Sequence, residues 1–368
     1  MADVRAWLEA EAIQVQSHHF VLHPYFMELL GLWLVLAGLL LTMAALGRWG
    51  WVGLALSLVA VAVPLLEVGF IHPVVTALIR QPVCNLVVRF PAPKPCREVI
   101  LSAHLDSKTE LLDHHQRTIL LGLGRPAMGL ALGAGLLTAL DSLLPPGTVR
   151  LVAHWLAVLA VLPVAVYGLG TGANLVGGRF SRRPSTGAVD NGAAVAVLLD
   201  LALRLRRGAL HFGHTSITLL FTVGEEAQMQ GALAYVQHAY DPGSRDRPLP
   251  MFAVNLEAVG QDGGYLLWER DGTAMLQMPV DAALSQALAR AIEAVAGDRP
   301  TQACLINSDA FAFLRAGIPA TTLGGYDADL GERGFHSDSD NPSRIDRQRL
   351  VETTAILSRL VAELDSEE

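Results

Sequence analysis

Charge is scarce in this chain. Of its 368 residues only 17% are Asp, Glu, Lys or Arg, while 52% are hydrophobic. The mean hydropathy of +0.38 is too high for an ordinary soluble domain and excludes a disordered one. Positive charge is the scarcer sign: 27 Lys and Arg stand against 35 Asp and Glu, a formal net charge of −8. With no basic stripe to displace phosphate counterions, a nucleic-acid binder is excluded. Cysteine is rare too. Cys84, Cys96 and Cys304 are odd in number and widely spaced, which argues against a disulfide framework. There is no H-E-x-x-H, no G-x-S-x-G and no Walker A loop. Gly168-x-Gly170-x-x-Ala173 imitates part of a dinucleotide fingerprint, but it follows an apolar run rather than a strand and is set aside.

What the chain has in excess is apolar sequence, in four blocks: Leu29 to Leu46, Trp51 to Phe70, Pro126 to Leu144 and Leu151 to Leu169. Each approaches the length of a helix crossing roughly 30 Å of hydrocarbon. Buried helices of a soluble protein would show a polar face or caps, so the blocks read as two transmembrane hairpins. Asp3, Glu9 and Glu11 stand where a signal peptide would be positive, so none is expected. Residues 1–27 read as an interfacial segment, 28–72 as the first hairpin and 117–172 as the second. The second interrupts an enzyme-like domain formed by 73–116 and 173–368.

Arg80, Arg89, Lys94, Arg97, Lys108, Arg117, Arg179, Arg182 and Arg183 lie on one side of the hairpins, and Arg48 and Arg150 on the other. The positive-inside rule then makes the soluble part cytoplasmic, in an integral protein of a bacterial inner membrane. Glu67 is expected to snorkel from the end of its span. Gly129-x-x-x-Gly133 allows close helix packing, within the bundle or in a homo-oligomer.

Outside the hairpins, short β-rich runs (Asn85 to Phe90, Glu98 to Ala103, Ser216 to Val223, Met251 to Leu256, Gly264 to Trp268, Pro319 to Leu323) alternate with helical patterns. This predicts an α/β fold, a mixed and mostly parallel sheet covered by helices on both faces. Polar residues cluster where the strands end. His104 and Asp106 form an H-x-D pair whose side chains share a direction, so the imidazole can bind a metal while the carboxylate orients it. Asp190 opens an apolar helix, where a plain N-cap is the alternative. Glu225 and Glu226 are adjacent acids that repel unless a cation or a shared proton intervenes. Glu257 ends a further strand, and His336 lies in a polar loop. Two histidines and several carboxylates make a mixed N/O set suited to zinc or a similar divalent ion. Two ions sharing a carboxylate, with another carboxylate as base, would suit amide hydrolysis.

The ordered motifs AHLDS, GAVDNGAA, TVGEEAQMQG, NLEAVG, NSDAFAFLRAGIPA and FHSDSDN resemble those of the co-catalytic di-zinc aminopeptidases, the superfamily that also holds glutamate carboxypeptidase and glutaminyl cyclase. The resemblance implies a zinc exopeptidase fold and two Zn2+ ions. His104, Asp190 and Glu257 would hold one ion, and Asp190, Glu226 and His336 the other. It makes Glu225 the general base and Asp106 the partner of His104. Ser308 and Asp309 would support the site, with an N-cap as the other reading, and Tyr326 would be an oxyanion donor. Glu257 and Phe335 depart from the Asp and Tyr of many relatives. The implied function is a membrane-anchored aminopeptidase acting on short peptides. The inserted hairpin leaves open an amidohydrolase of lipid-linked or N-acylated amino acids, and the superfamily a glutaminyl-cyclase-like acyl transferase.

Overall fold

The computed structural model describes residues 1–239, 249–273, 275–303, 307–329 and 334–366; Cys304 lies outside them. The first half contains α1 (Ala2–Ala10), β1 (Gln16–Leu22), α2 (Phe26–Leu46), α3 (Trp51–Pro64), β2 (Gln81–Phe90), β3 (Arg97–His104), α4 (His114–Gly122), α5 (Gly124–Leu143) and α6 (Thr148–Gly177). Then come α7 (Ala193–Arg206), β4 (Thr215–Thr222), α8 (Gln230–Ala239), β5 (Met251–Glu257), β6 (Gly264–Trp268), β7 (Arg270–Gly272) and β8 (Gln277–Pro279). The chain closes with α9 (Ala282–Ala296), β9 (Thr301–Ala303), α10 (Ala310–Arg315), β10 (Ala320–Tyr326) and α11 (Arg347–Ser366). It divides into two units, Met1–Pro24 with Arg80–Lys108 and Ser185–Glu368, and Tyr25–Ile79 with Thr109–Pro184.

The first unit is built on strands whose apolar residues alternate, so each strand feeds two layers. Val99 and Leu101 enter one core with Ile217, Leu219 and Phe221, against Leu198, Leu288 and Leu360 of α7, α9 and α11. Ile100 and Leu220 enter the other, against Tyr235 of α8 and Phe313 of α10. The sheet order is β1-β2-β4-β3-β5-β10-β6-β9. Strands β4, β3, β5 and β10 are parallel neighbours at its centre, flanked by antiparallel pairings of β2 with β4 and β6 with β10. The carboxyl ends of the four central strands therefore lie along one edge, the place where open α/β sheets bind ligands. Residues 1–27 depart from the interfacial expectation. Gln16–Leu22 pairs antiparallel with β2 as the edge strand of the sheet.

The second unit holds four helical stretches long and apolar enough to cross a membrane: Phe26–Leu46, Trp51–Gly69, His115–Leu143 and Thr148–Phe180. Helices α2 and α6 approach at small residues. A Cβ on Gly172 would stand 2.7 Å from the Gly31 carbonyl oxygen, and one on Gly168 2.5 Å from that of Leu34, the close backbone approach that small residues permit. The Gly129/Gly133 pair, in contrast, would meet nothing within 4 Å. Glu67 does not snorkel. It is 2% exposed and accepts hydrogen bonds from the amides of Val74 (2.7 Å) and Thr76 (3.0 Å) and the Thr76 hydroxyl (2.6 Å). Arg48 and Arg150 both face the buried carboxylate of Asp141, at 3.8 and 3.3 Å.

Candidate metal centre

Four of the six side chains of the site stand where a strand stops. His104 ends β3, Glu257 ends β5, and Glu225 and Glu226 follow the turn that closes β4. Asp190 precedes α7, and His336 lies beyond β10. The turn after β4 needs Gly224 (φ +84°), where a Cβ would press to 2.4 Å from Leu22.

The structure brings five of these side chains into two groups, His104 with Asp190 and Glu257, and Asp190 with Glu226 and His336. The Nδ1 of His104 lies 2.8 Å from the main-chain oxygen of Asp106, which can only accept, so Nδ1 carries a proton. Its Nε2 faces Asp190 Oδ1 at 3.0 Å and Glu257 Oε1 at 3.1 Å. Across Asp190, Oδ2 stands 2.8 Å from His336 Nε2, which is also 3.2 Å from Glu226 Oε1. Asp190 thus offers one oxygen to each imidazole.

This donor set fits a divalent cation. Asp190 Oδ1 and Glu226 Oε1 are buried and accept no hydrogen bond despite the neighbouring ring nitrogens, and a buried acceptor without a partner is costly. Ligand atoms around a tetrahedral zinc are separated by about 3.3 Å, close to the spacings found here. Without a cation, protons must do the work. Burial pulls the His104 imidazole down, but the Glu257 and Asp190 carboxylates override it and raise it well above its ordinary range. Burial also opposes ionisation of Glu226, yet His336 and Lys108 hold it down to about 2. Glu257 is pushed up to about 7, chiefly by burial. Burial raises Glu225 well above the usual carboxylate range, and the Glu226, Glu257 and Asp309 charges add to it.

The remaining expected residues are placed differently. The Asp106 carboxylate is 3.9 Å from His104 Nδ1. Instead it accepts from the amides of Gly224 (2.8 Å), Glu225 (3.3 Å) and Glu226 (3.1 Å). Three converging N–H groups outcompete one imidazole for it. Ser308 and Asp309 are fully buried. Asp309 makes no side-chain cap; it accepts from the Thr222 hydroxyl. Ser308 Oγ accepts from the Ala310 amide and donates to Asp271, whose carboxyl burial lifts to about 7. Tyr326 belongs to neither ligand group; its ring lies where side chains on Gly263 and Gly264 would be.

Four contributors are not recognised as site residues from the sequence. Lys108 pairs with Glu226 Oε2 at 2.8 Å. Asn255 donates to Glu257 Oε2 (3.3 Å), and Asn191 clips the Asp190 loop to β5 through Leu256 O (2.8 Å) and the Ala258 amide (3.2 Å). Asp340 links the Asp190 and His336 loops. Asn255 could have been found as a lone amide two residues before Glu257 in an apolar strand, hence on the same face.

A family model described as peptidase family M28 matches residues 85–361. No curated protein matches the chain. Among solved structures, a Zn-dependent exopeptidase from Parabacteroides distasonis aligns over 98% of the chain and 87% of its own length, at TM-score 0.51 and 14% identity. Glutaminyl cyclase from Porphyromonas gingivalis aligns over 99% and 88%, at 0.50 and 12%. A zinc aminopeptidase from Bacillus subtilis aligns over 77% of this chain at 0.47 and 17%, and the chain covers 50% of that enzyme. The two broader likenesses show the fold.

Proposed function

The chain belongs to peptidase family M28, and from that premise we propose that it is a membrane-anchored exopeptidase with two metal positions, releasing N-terminal residues from short peptides. The observation that carries this reading is Asp190, with one oxygen turned to His104 and the other to His336. Divalent ions held by His104, Asp190 and Glu257 and by Asp190, Glu226 and His336 would polarise the scissile carbonyl and acidify the attacking water. Glu225 is the general base: it takes that water's proton and hands it to the leaving amine. Its surroundings suit the task, since burial makes it more basic than an ordinary carboxylate. Asp106 holds the Glu225–Glu226 turn through its three amide contacts, and Asn255 and Asn191 hold Glu257 and Asp190 in register.

The four apolar helical stretches support an integral membrane protein, and the Lys/Arg asymmetry supports a cytoplasmic soluble part. A second reading, hydrolysis of N-acylated amino acids, draws on the two apolar helices that the chain inserts between Asp106 and Asp190. The test is metal analysis and peptide hydrolysis on one detergent-purified preparation. About two zinc ions per chain with release of N-terminal residues is expected. A metal-free protein inert after zinc addition would refute the proposal.

A further inference from the structure

Asp340 is fully buried in the loop that follows His336, and its bonds run to the segment that precedes Asp190. Its Oδ1 accepts from the Val189 amide at 2.6 Å and its Oδ2 from the Ser185 hydroxyl at 2.8 Å. Its main-chain oxygen accepts from the Thr186 amide at 3.0 Å and the Thr186 hydroxyl at 2.8 Å. Its own amide donates back to Ser337 O at 3.1 Å, closing the turn next to His336. Asp340, through its carboxylate and its main-chain oxygen, thus stitches together the two loops that place Asp190 Oδ2 2.8 Å from His336 Nε2.

The group on the other side of Asp190 has separate supports. His104 is fixed through Nδ1 by the Asp106 carbonyl, Glu257 is held by Asn255, and Asp190 is tied to β5 through Asn191. We infer that Asp340 is a positioning residue that sets the affinity of the Asp190–Glu226–His336 position for its metal ion, while the His104–Asp190–Glu257 position is largely independent of it. The inference rests on the two-metal reading above. Removing Asp340 leaves the Val189 amide and the Ser185 hydroxyl without their acceptor and lets the His336 loop relax away from Asp190. Loss of such an outer partner commonly lowers metal affinity by about 10–100-fold.

The experiment is a zinc titration of full-length, chelator-stripped protein in detergent, comparing wild type with Asp340→Ala, Asp340→Asn and Ser185→Ala. Wild type is expected to take up two ions in resolvable steps. In Asp340→Ala the step assigned to the His336 position weakens by about 10–100-fold, and the other step stays at the wild-type value. Asp340→Asn retains an oxygen for the Val189 amide and lies between the two. Ser185→Ala removes one bond to the same carboxylate and gives a smaller loss in the same step. Should Asp340→Ala bind both ions as wild type does, or weaken both steps equally, the inference is overturned, even with the two-metal reading intact. A wild-type protein that takes up a single ion overturns the two-metal reading, and the inference with it.

Discussion

His104 and Asp106 are joined through the wrong end of the aspartate: Nδ1 meets the Asp106 main-chain oxygen at 2.8 Å, while the carboxylate stands 3.9 Å off. The H-x-D spacing does orient the imidazole, but through backbone that any residue at 106 could supply. The carboxylate is free to gather the amides of residues 224–226. Replacing it should therefore disturb the glutamate pair rather than the histidine. Asp106→Ala is expected to lower kcat by about 10–100-fold and to cost about 1–3 kcal/mol through the exposed amides. Asp106→Asn should help little, because its NH2 would face one of the three N–H groups. Steady-state kinetics and unfolding curves check both. A variant at position 106 with wild-type kcat would show that the turn holds itself.

Glu225 carries the sharpest expectation. Glu225→Gln keeps the size of the side chain and its place beside Glu226 but cannot accept the water's proton. A loss of about 10²–10⁴-fold in kcat is expected, with zinc content unchanged because Glu225 belongs to neither ligand group. Hydrolysis that survives the substitution would remove Glu225 from the chemistry.

The sheet and the gathering of the polar residues were legible because both follow from periodicity. Strands such as Val99–Ile100–Leu101 alternate between two cores, and a polar residue directly after such a run is carried to the sheet edge shared by β4, β3, β5 and β10. Edge strand β1 was not legible, since Gln16–Leu22 opens with four polar residues and gains its strand character from pairing with β2. The Asp106 contact was hidden for another reason. It depends on how the backbone turns at Gly224, a long-range event that residue spacing does not encode. Asp340, within FHSDSDN, carries no such signal, because in sequence a buried acid in a polar loop looks like a solvated one.

Asp271 makes stability depend on pH in an unusual direction. Its carboxyl is fully buried among the Gly272 and Ser308 amides and the Ser308 hydroxyl, and burial raises it to about 7 from an unfolded value of about 3.9. The folded state therefore binds the extra proton between these values. Its stabilisation is complete below about pH 4, declines as pH rises and is gone above about pH 7, on the order of 4 kcal/mol in all. Asp271→Asn imitates the protonated form. Its oxygen accepts the two amides, and its NH2 donates to Ser308 Oγ, which can turn its hydrogen to Thr322 Oγ1 (2.8 Å). Unfolding in detergent between pH 5 and 8 should show a flatter profile for the variant and higher stability than wild type at pH 8. Parallel profiles would remove Asp271 as the cause.

The helical unit offers a matched pair of glycines. An added methyl on Gly172 would meet the Gly31 carbonyl oxygen at 2.7 Å, whereas one on Gly133 would meet nothing within 4 Å. Gly172→Ala must push α2 and α6 apart and should destabilise by about 1–3 kcal/mol, while Gly133→Ala should be nearly silent. Thermal unfolding in detergent separates them. A Gly133→Ala variant as damaged as Gly172→Ala would mean that the open face is covered by a second copy of the chain.

Peptide and acyl-amide substrates differ in one charge at the site. A free N-terminal amine is cationic or a neutral donor, and the carboxylate of Glu225, which belongs to neither ligand group, favours it over an acylated nitrogen, which is uncharged and bulkier. Acylation also inserts a carbonyl where the amine would approach this carboxylate, placing acceptor against acceptor. Turnover of a dipeptide should therefore exceed that of the same dipeptide carrying an N-acyl chain, in detergent micelles at equal concentration, and the difference should appear mainly in kcat/KM. Lys108→Met removes one of the positive neighbours of Glu226, His336 being another, and should widen the preference, since the site then becomes more negative. Faster turnover of the acylated compound would instead favour hydrolysis of N-acylated amino acids, with the same carboxylate serving the same proton transfer on a membrane-delivered substrate.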